Sequence, residues 1–271
     1  MCSQRVTPLT YLRSLDPAIR IAAVAAAFLL ALAVALAIPP VPQPLAYHRF
    51  ADDRVWLGIS HAGDVITNLG FLAAGIFGLT VVSSRKYRAA LAGNWEGVTY
   101  QVFFLGVALT AFGSAYYHLD PSNSTLLWDR LAMTMAFMAL LCAVIADRID
   151  VKAAAVVLAP LIAAAAAALL YWHLGEQLGH GNLNLYFAIQ YFPALGIPLI
   201  CLLFRDRHGT GRTLWMTLGW FALAMVLEKL DHGIYALLGG AISGHGLKHL
   251  AAAMAALTVA AMVRARGSGS G

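Results

Sequence analysis

Long apolar runs, separated by short polar stretches, divide this chain into eight segments. Their limits are 18–38, 62–82, 98–118, 125–146, 152–172, 184–204, 214–237 and 245–263. A helix needs about 20 apolar residues to cross the hydrocarbon core of a bilayer, and each run has about that length. The pattern predicts an all-α membrane protein with eight transmembrane helices. The alanine run from Ala163 to Ala168 is low in complexity but reads as helix, and no repeat of fixed period is present.

The first segment has a second reading. Arg5, Arg13 and Arg20 precede an Ala/Leu-rich run that contains the triplet Ala35-Leu36-Ala37, which resembles a secretory signal with its cleavage site. The run is long for that role and Pro39-Pro40 follows closely, so an uncleaved first helix is expected. At the other end, GSGSG from Gly267 to Gly271 has the composition of a flexible linker scar.

Composition agrees with the pattern. Apolar residues make up 61% of the 271 and charged residues 11%, against about 25% charged in a soluble domain. The mean hydropathy is +0.74 and the pI is near 9.2. That basic balance raises nucleic acid as a partner. However, the positive residues are scattered over short loops without a basic stripe or interleaved aromatics, so no nucleic-acid partner is expected. Cys2, Cys142 and Cys201 show no CxxC or framework spacing, and unpaired thiols are expected.

The basic residues do set an orientation. Thirteen Lys and Arg fall on one side, in the N-terminal stretch, around Arg85 to Arg88, at Arg148 and Lys152, from Arg205 to Arg212, and at Arg264 and Arg266; the other side has only Arg49 and Arg54. Positive-inside logic places both termini in the cytoplasm. That requires an even number of crossings, which eight segments satisfy.

Against this apolar background five polar residues stand out: Ser114 and His118, Asp129, and His245 and His249. Such groups are costly inside a membrane and are functional candidates by default. Ser114/His118 and His245/His249 have i, i+4 spacing, which puts each pair on one helix face. Segment three runs outward and ends at His118, segment four begins near Asp129, and segment eight runs inward from His245. All five are thus expected in the extracytoplasmic leaflet. Three neutral imidazoles at one point suit a zinc ion with an open fourth position. Taken singly each residue has a plainer role: Ser114 can bond its own preceding turn, and Asp129 can pair with Arg130 or Lys248.

The order S-x3-H, an Asp eleven residues after that His, and a late H-x3-H resembles the alkaline ceramidases. They belong to a superfamily of seven-helix membrane hydrolases that also includes adiponectin-type receptors. Gly63 to Leu79 (GDVITNLGFLAAGIFGL) is similar to the first core helix of that family, with Asn68 at its polar position. Leu227 to Tyr235 (LEKLDHGIY) is similar to the sixth, with Asp231 at an acidic position. The resemblance implies three regions. Residues 1–60 form an N-terminal tail, an extra helix of the kind seen in bacterial-looking members and an extracytoplasmic loop. Residues 61–263 form the seven-helix core, and 264–271 a basic tail with the linker scar.

It also implies roles. His118, His245 and His249 would bind zinc, with Ser114 and Asp129 contacting the water at the metal. Asp231 and Asn68 are candidates for the surrounding shell, Asp231 either orienting a ligating histidine or pairing with a neighbouring lysine. The substrate would be ceramide or a related N-acyl sphingoid lipid, and the location a bacterial inner membrane. One departure is visible: animal members carry an acidic calcium site before the first core helix. Here the stretch AYHRFADDRVWLGISHAG has Asp52 and Asp53 without that spacing, and His61 where a glutamate is expected, so calcium is not predicted. A zinc-dependent lipid esterase or phospholipase on the same residues, and a receptor-like protein with a zinc site, are the alternatives. A transporter is disfavoured because Pro160, Pro193 and Pro198 do not break matching halves.

Overall fold

A computed structural model describes residues 8–268; Cys2, Arg5 and Gly269–Gly271 lie outside them. Apart from one isolated bridge between Trp56 and Ile59, all regular structure in these residues is helical. Helices α1 (Pro8–Ser14) and α2 (Pro17–Ala37) precede a single 3-10 turn (Leu45–His48). There follow α3 (Ala62–Thr67), α4 (Leu69–Ser83) and the short α5 (Arg85–Arg88). The long α6 (Asn94–Leu119), α7 (Asn123–Arg148), α8 (Val151–Gln177) and α9 (Asn184–Leu203) come next, and α10 (Gly211–Lys229), α11 (Asp231–Leu237) and α12 (Gly244–Ser268) complete the chain. Seven spans are long and apolar enough to cross a membrane, α3 and α4 together counting as one. The chain is an integral, multi-pass, all-α membrane protein.

The segment expected as one helix over 214–237 is broken at Leu230: α10 and α11 meet at a 78° bend. The break has a physical cause. The Asp231 carboxylate accepts the backbone N–H of His245 at 2.8 Å and that of Ala51 at 2.9 Å. The backbone of Gly244 rests on that of Asp231, leaving no room for a Cβ. These contacts turn the chain sideways over the start of α12. By itself α10 still joins the two ends of the bundle. Thr210, just before it, bonds Asp147 and Arg148 at one end, and Glu228 in its last turn meets Lys248 at the other.

Close helix approach holds the bundle together. In lipid there is little hydrophobic drive between helices, so small residues that allow near contact carry much of the packing. The α6–α7 seam is the most extensive, and a Cβ placed on Gly106 would lie 2.7 Å from the Ala136 amide nitrogen. α2 sits at the periphery, packed on α9 through Phe28 and Phe192 at 4.9 Å between ring centroids. Its outer face, with Leu29, Leu30 and Leu36, is exposed.

At the end of the bundle that carries both described termini, a buried polar clasp joins four elements. Arg266 pairs with Glu96 at 2.6 Å and Asp147 at 3.4 Å, Arg148 pairs with Asp147 at 3.0 Å, and His208 reaches Asp147 at 2.7 Å. Residues 264–268, assigned above to a tail, therefore continue α12 and pack against α5 and α6. Ionic groups at such depth are tolerated when paired.

Candidate metal centre

The opposite end of the bundle holds the three histidines. His118 is in the last turn of α6, and His245 and His249 are in the first two turns of α12. They are all buried, at 0%, 3% and 1% exposure, and one ligand nitrogen from each lies within 4.8 Å of the others. The Nε2 atoms of His118 and His245 are 3.2 Å apart. Phe50 closes one side, its ring edge-on to both His118 and His245 at 4.6 Å. Three buried imidazoles at this spacing can hold a metal ion.

Hydrogen bonds fix the orientation of one ligand. The Thr67 hydroxyl lies 3.0 Å from the Asp64 carbonyl and 2.9 Å from His249 Nδ1. When its proton goes to the carbonyl, its oxygen accepts from Nδ1–H and the Nε2 lone pair stays available to a metal, the usual outer-shell arrangement of a ligating imidazole. His118 Nδ1 is buried without a partner among the described residues. Lys248 Nζ lies 2.8 Å from His245 Nε2 and 3.8 Å from Glu228 Oε2.

The start of α12 is anchored by acids from other elements. Ser243 caps the helix, accepting the Gly246 N–H at 2.7 Å, and donates to Asp64 Oδ1 at 2.7 Å. Asp231 accepts the His245 N–H. Unpaired N–H groups and the helix dipole both favour negative charge here. Asp231 thus grips the backbone of a candidate ligand, and its hydrogen bonds among the described residues reach neither an imidazole nor a lysine side chain. Asn68 Nδ2 donates to the Asp64 carbonyl at 2.8 Å, at the junction of α3 and α4.

Ser114 lies one turn before His118 on α6, and Asp129 is in the second turn of α7. Both line a cavity of about 400 Å³, together with His249 and Lys248. From the level of Asp129 the cavity descends along α7 to Leu140, about 16 Å at 1.5 Å per residue. Its lower wall is apolar, with Phe103, Phe137, Ile197 and Ala256. All five polar residues singled out in the sequence are therefore brought to one end of the bundle.

Outside the membrane segments, Asp52 is committed to Arg54, which it meets at 2.7 Å through Nε and 2.6 Å through Nη2. Burial works to raise the Asp52 carboxyl, but the hydrogen bonds and charge of Arg54 outweigh it and hold the group below the usual carboxylate range. His61 bonds the carbonyl of His118 at 2.9 Å, so this loop supports the end of α6.

Asp64, Thr67, Lys248, Arg130 and Gln190 belong to the site or its walls and were not singled out from the sequence as site residues. For the first two a signal existed: they sit four and one residues before Asn68, on the turn leading into it. A search of protein-family models, of curated proteins and of solved structures found nothing that matches this chain.

Proposed function

We propose that this chain is a zinc-dependent hydrolase of membrane lipids that cleaves the amide of an N-acyl sphingoid lipid such as ceramide, giving fatty acid and sphingoid amine. The observation that carries the reading is the placement of a buried three-histidine cluster, with Ser114 and Asp129 beside it, at the head of an apolar cavity. The likeness of the S-x3-H, Asp and H-x3-H series to the alkaline ceramidases supports it.

The donor set suits zinc: nitrogen ligands only, three in number, with a position left open. His118, His245 and His249 would hold the ion. When bound, zinc lowers the pKa of its water to about 7 and polarises a carbonyl. The chain's own residues supply the remainder. An Asp129 carboxylate oxygen takes the proton of the attacking water and returns it to the nitrogen of the departing amine, as general base and then acid. Ser114 Oγ–H donates to the carbonyl oxygen as negative charge gathers there. The apolar shaft below takes the acyl chain and keeps bulk water from the amide. Loop charges would put the centre in the extracytoplasmic leaflet of a bacterial inner membrane, with both termini cytoplasmic.

The test measures zinc per chain and ceramide cleavage in one purified sample. Wild type should hold one zinc and turn over the lipid, His249→Ala should lose both, and Asp129→Asn should keep most of the zinc and lose turnover. A folded wild type that binds no zinc would remove the site. Zinc without cleavage of any N-acyl lipid would remove the amidase, and cleavage of ester lipids alone would replace it with the esterase.

A further inference from the structure

A second cavity, of about 470 Å³, opens at the other end of the bundle, between α1, α2, the α7–α8 turn and the stretch that follows α9. Its charged lining sets five arginines, Arg13, Arg20, Arg148, Arg205 and Arg207, against two aspartates, Asp150 and Asp206. Lys86 and Lys152 belong to the same end, but no lysine lines the cavity.

The aspartates are already engaged. Asp206 accepts the backbone N–H groups of Thr210 at 3.0 Å and Gly211 at 2.7 Å, and meets Arg148 at 3.3 Å. Asp150 caps α8 through the Ala153 N–H at 2.7 Å. Arg148 is buried at 2% exposure and is also fixed by Asp147 and Thr210. Arg13 and Arg20 are held without any acid. Arg13 donates to the Cys201 and Leu202 carbonyls, both at 3.0 Å, and Arg20 to that of Leu203 at 3.2 Å. These are open acceptors at the end of α9, where the helix dipole favours a cation. The Arg20 guanidinium also lies 4.9 Å from the Phe204 ring centroid. A carbonyl fixes a guanidinium in place but does not cancel its charge. Among the described residues no carboxylate forms an ion pair with Arg13, Arg20, Arg205 or Arg207.

The position of the cavity indicates what would neutralise it. α7 ends at Arg148, α8 begins at Val151, α9 ends at Leu203 and α2 begins at Pro17, so it lies where membrane-length helices leave the hydrocarbon. Single arginines at this level commonly reach for the interface and nothing more. Here they converge on one concavity, and two of them are locked against α9. An arginine fork matches phosphate oxygens bidentately, which a lysine does not. The lining also includes apolar Ile21, Ile149 and Phe204, and α2 beside it leaves Leu29 and Leu30 exposed.

We propose that this cavity binds the phosphate of an anionic membrane lipid, with arginine forks on the phosphate oxygens and the acyl chains along α2. Basic pockets between membrane helices suit such headgroups. A soluble phosphate ester shares the phosphate chemistry but has no use for the apolar lining or the neighbouring helix face. The bound lipid bridges Arg13 and Arg20 of the N-terminal helices to Arg205 and Arg207 beyond α9. It thereby fastens α1 and α2, whose main helix contacts are with α9, to the bundle. The site is independent of the chemistry proposed at the histidines.

The experiment measures lipid bound to the full-length protein in detergent micelles by native mass spectrometry, with phosphatidylglycerol and phosphatidylcholine as probes. Wild type should bind phosphatidylglycerol roughly ten- to thirtyfold more tightly. Arg205→Gln/Arg207→Gln, which alters two exposed side chains, should erase most of that preference. Arg85→Gln/Lys86→Gln removes the same charge from α5 at the same end of the bundle and should leave the preference in place. Equal affinity of wild type for the two lipids would overturn the proposal. So would equal losses in the two double variants, the mark of diffuse surface charge. Full displacement of phosphatidylglycerol by inorganic phosphate would overturn the lipid assignment and give the site to a soluble phosphate ester.

Discussion

Gly113 offers the sharpest perturbation of the proposed chemistry, because it lies in α6 immediately before Ser114 and faces the turn of α7 that carries Asp129. A Cβ added there would sit 2.8 Å from the Trp128 carbonyl carbon, nearer still to its oxygen, and 3.2 Å from Asp129 Cα. Ordinary contact begins at 3.4 Å, and the obstacle is backbone, which cannot swing aside. Helices α6 and α7 must part by more than half an ångström in Gly113→Ala, and Asp129 moves with α7. A misplacement of about 1 Å in a catalytic geometry costs roughly a hundredfold in rate. The overpacking itself costs about 1–3 kcal/mol. None of the three histidines is on α7, so zinc content should stay near wild type while turnover falls about a hundredfold. The assay is lipid cleavage and zinc per chain, beside Gly219→Ala, where a Cβ meets nothing within 4 Å and neither quantity should change. A folded Gly113→Ala protein with wild-type turnover would refute the argument. Loss of zinc in step with activity would show that the seam positions the metal ligands and not Asp129.

Two further outcomes follow from the loops that hold the site. Asp231→Asn keeps one acceptor oxygen where two N–H groups converge, so a buried donor at Ala51 or His245 is left open. The expected cost is about 1–3 kcal/mol, read as a lower melting temperature together with weaker zinc retention, and an unchanged melting temperature would count against the anchoring role. The Asp52–Arg54 pair should give acid sensitivity. Because the folded-state value of Asp52 is depressed, its contribution is fully present above the unfolded value of about 3.9 and is lost as pH falls through the folded value. The Arg54 side chain is 47% exposed, so solvent screening keeps the effect modest. The gap in melting temperature between wild type and Asp52→Asn should hold down to about pH 4 and close below it; a gap that persists unchanged to pH 3 would contradict the assignment.

Hydrophobic run length alone determined the all-α, multi-span architecture, because a bilayer admits few backbone solutions and an apolar run of about 20 residues reads as one of them. The partnership of His245 with His249 was equally legible, since i, i+4 spacing is a local property of one helix. Sequence also marked Ser114, His118 and Asp129 as costly groups near the ends of their segments. Tertiary structure decided what local pattern cannot encode. The bend at Leu230 depends on N–H groups of Ala51 and His245, which only the folded chain brings to Asp231. The hydrogen bond at His249 Nδ1 depends on Thr67, and the clasp at Arg266 on Glu96 and Asp147, each more than a hundred residues away in the chain. Arg130 and Gln190 were hidden for a related reason. A membrane helix is apolar around most of its circumference, so periodicity does not reveal which face lines a cavity.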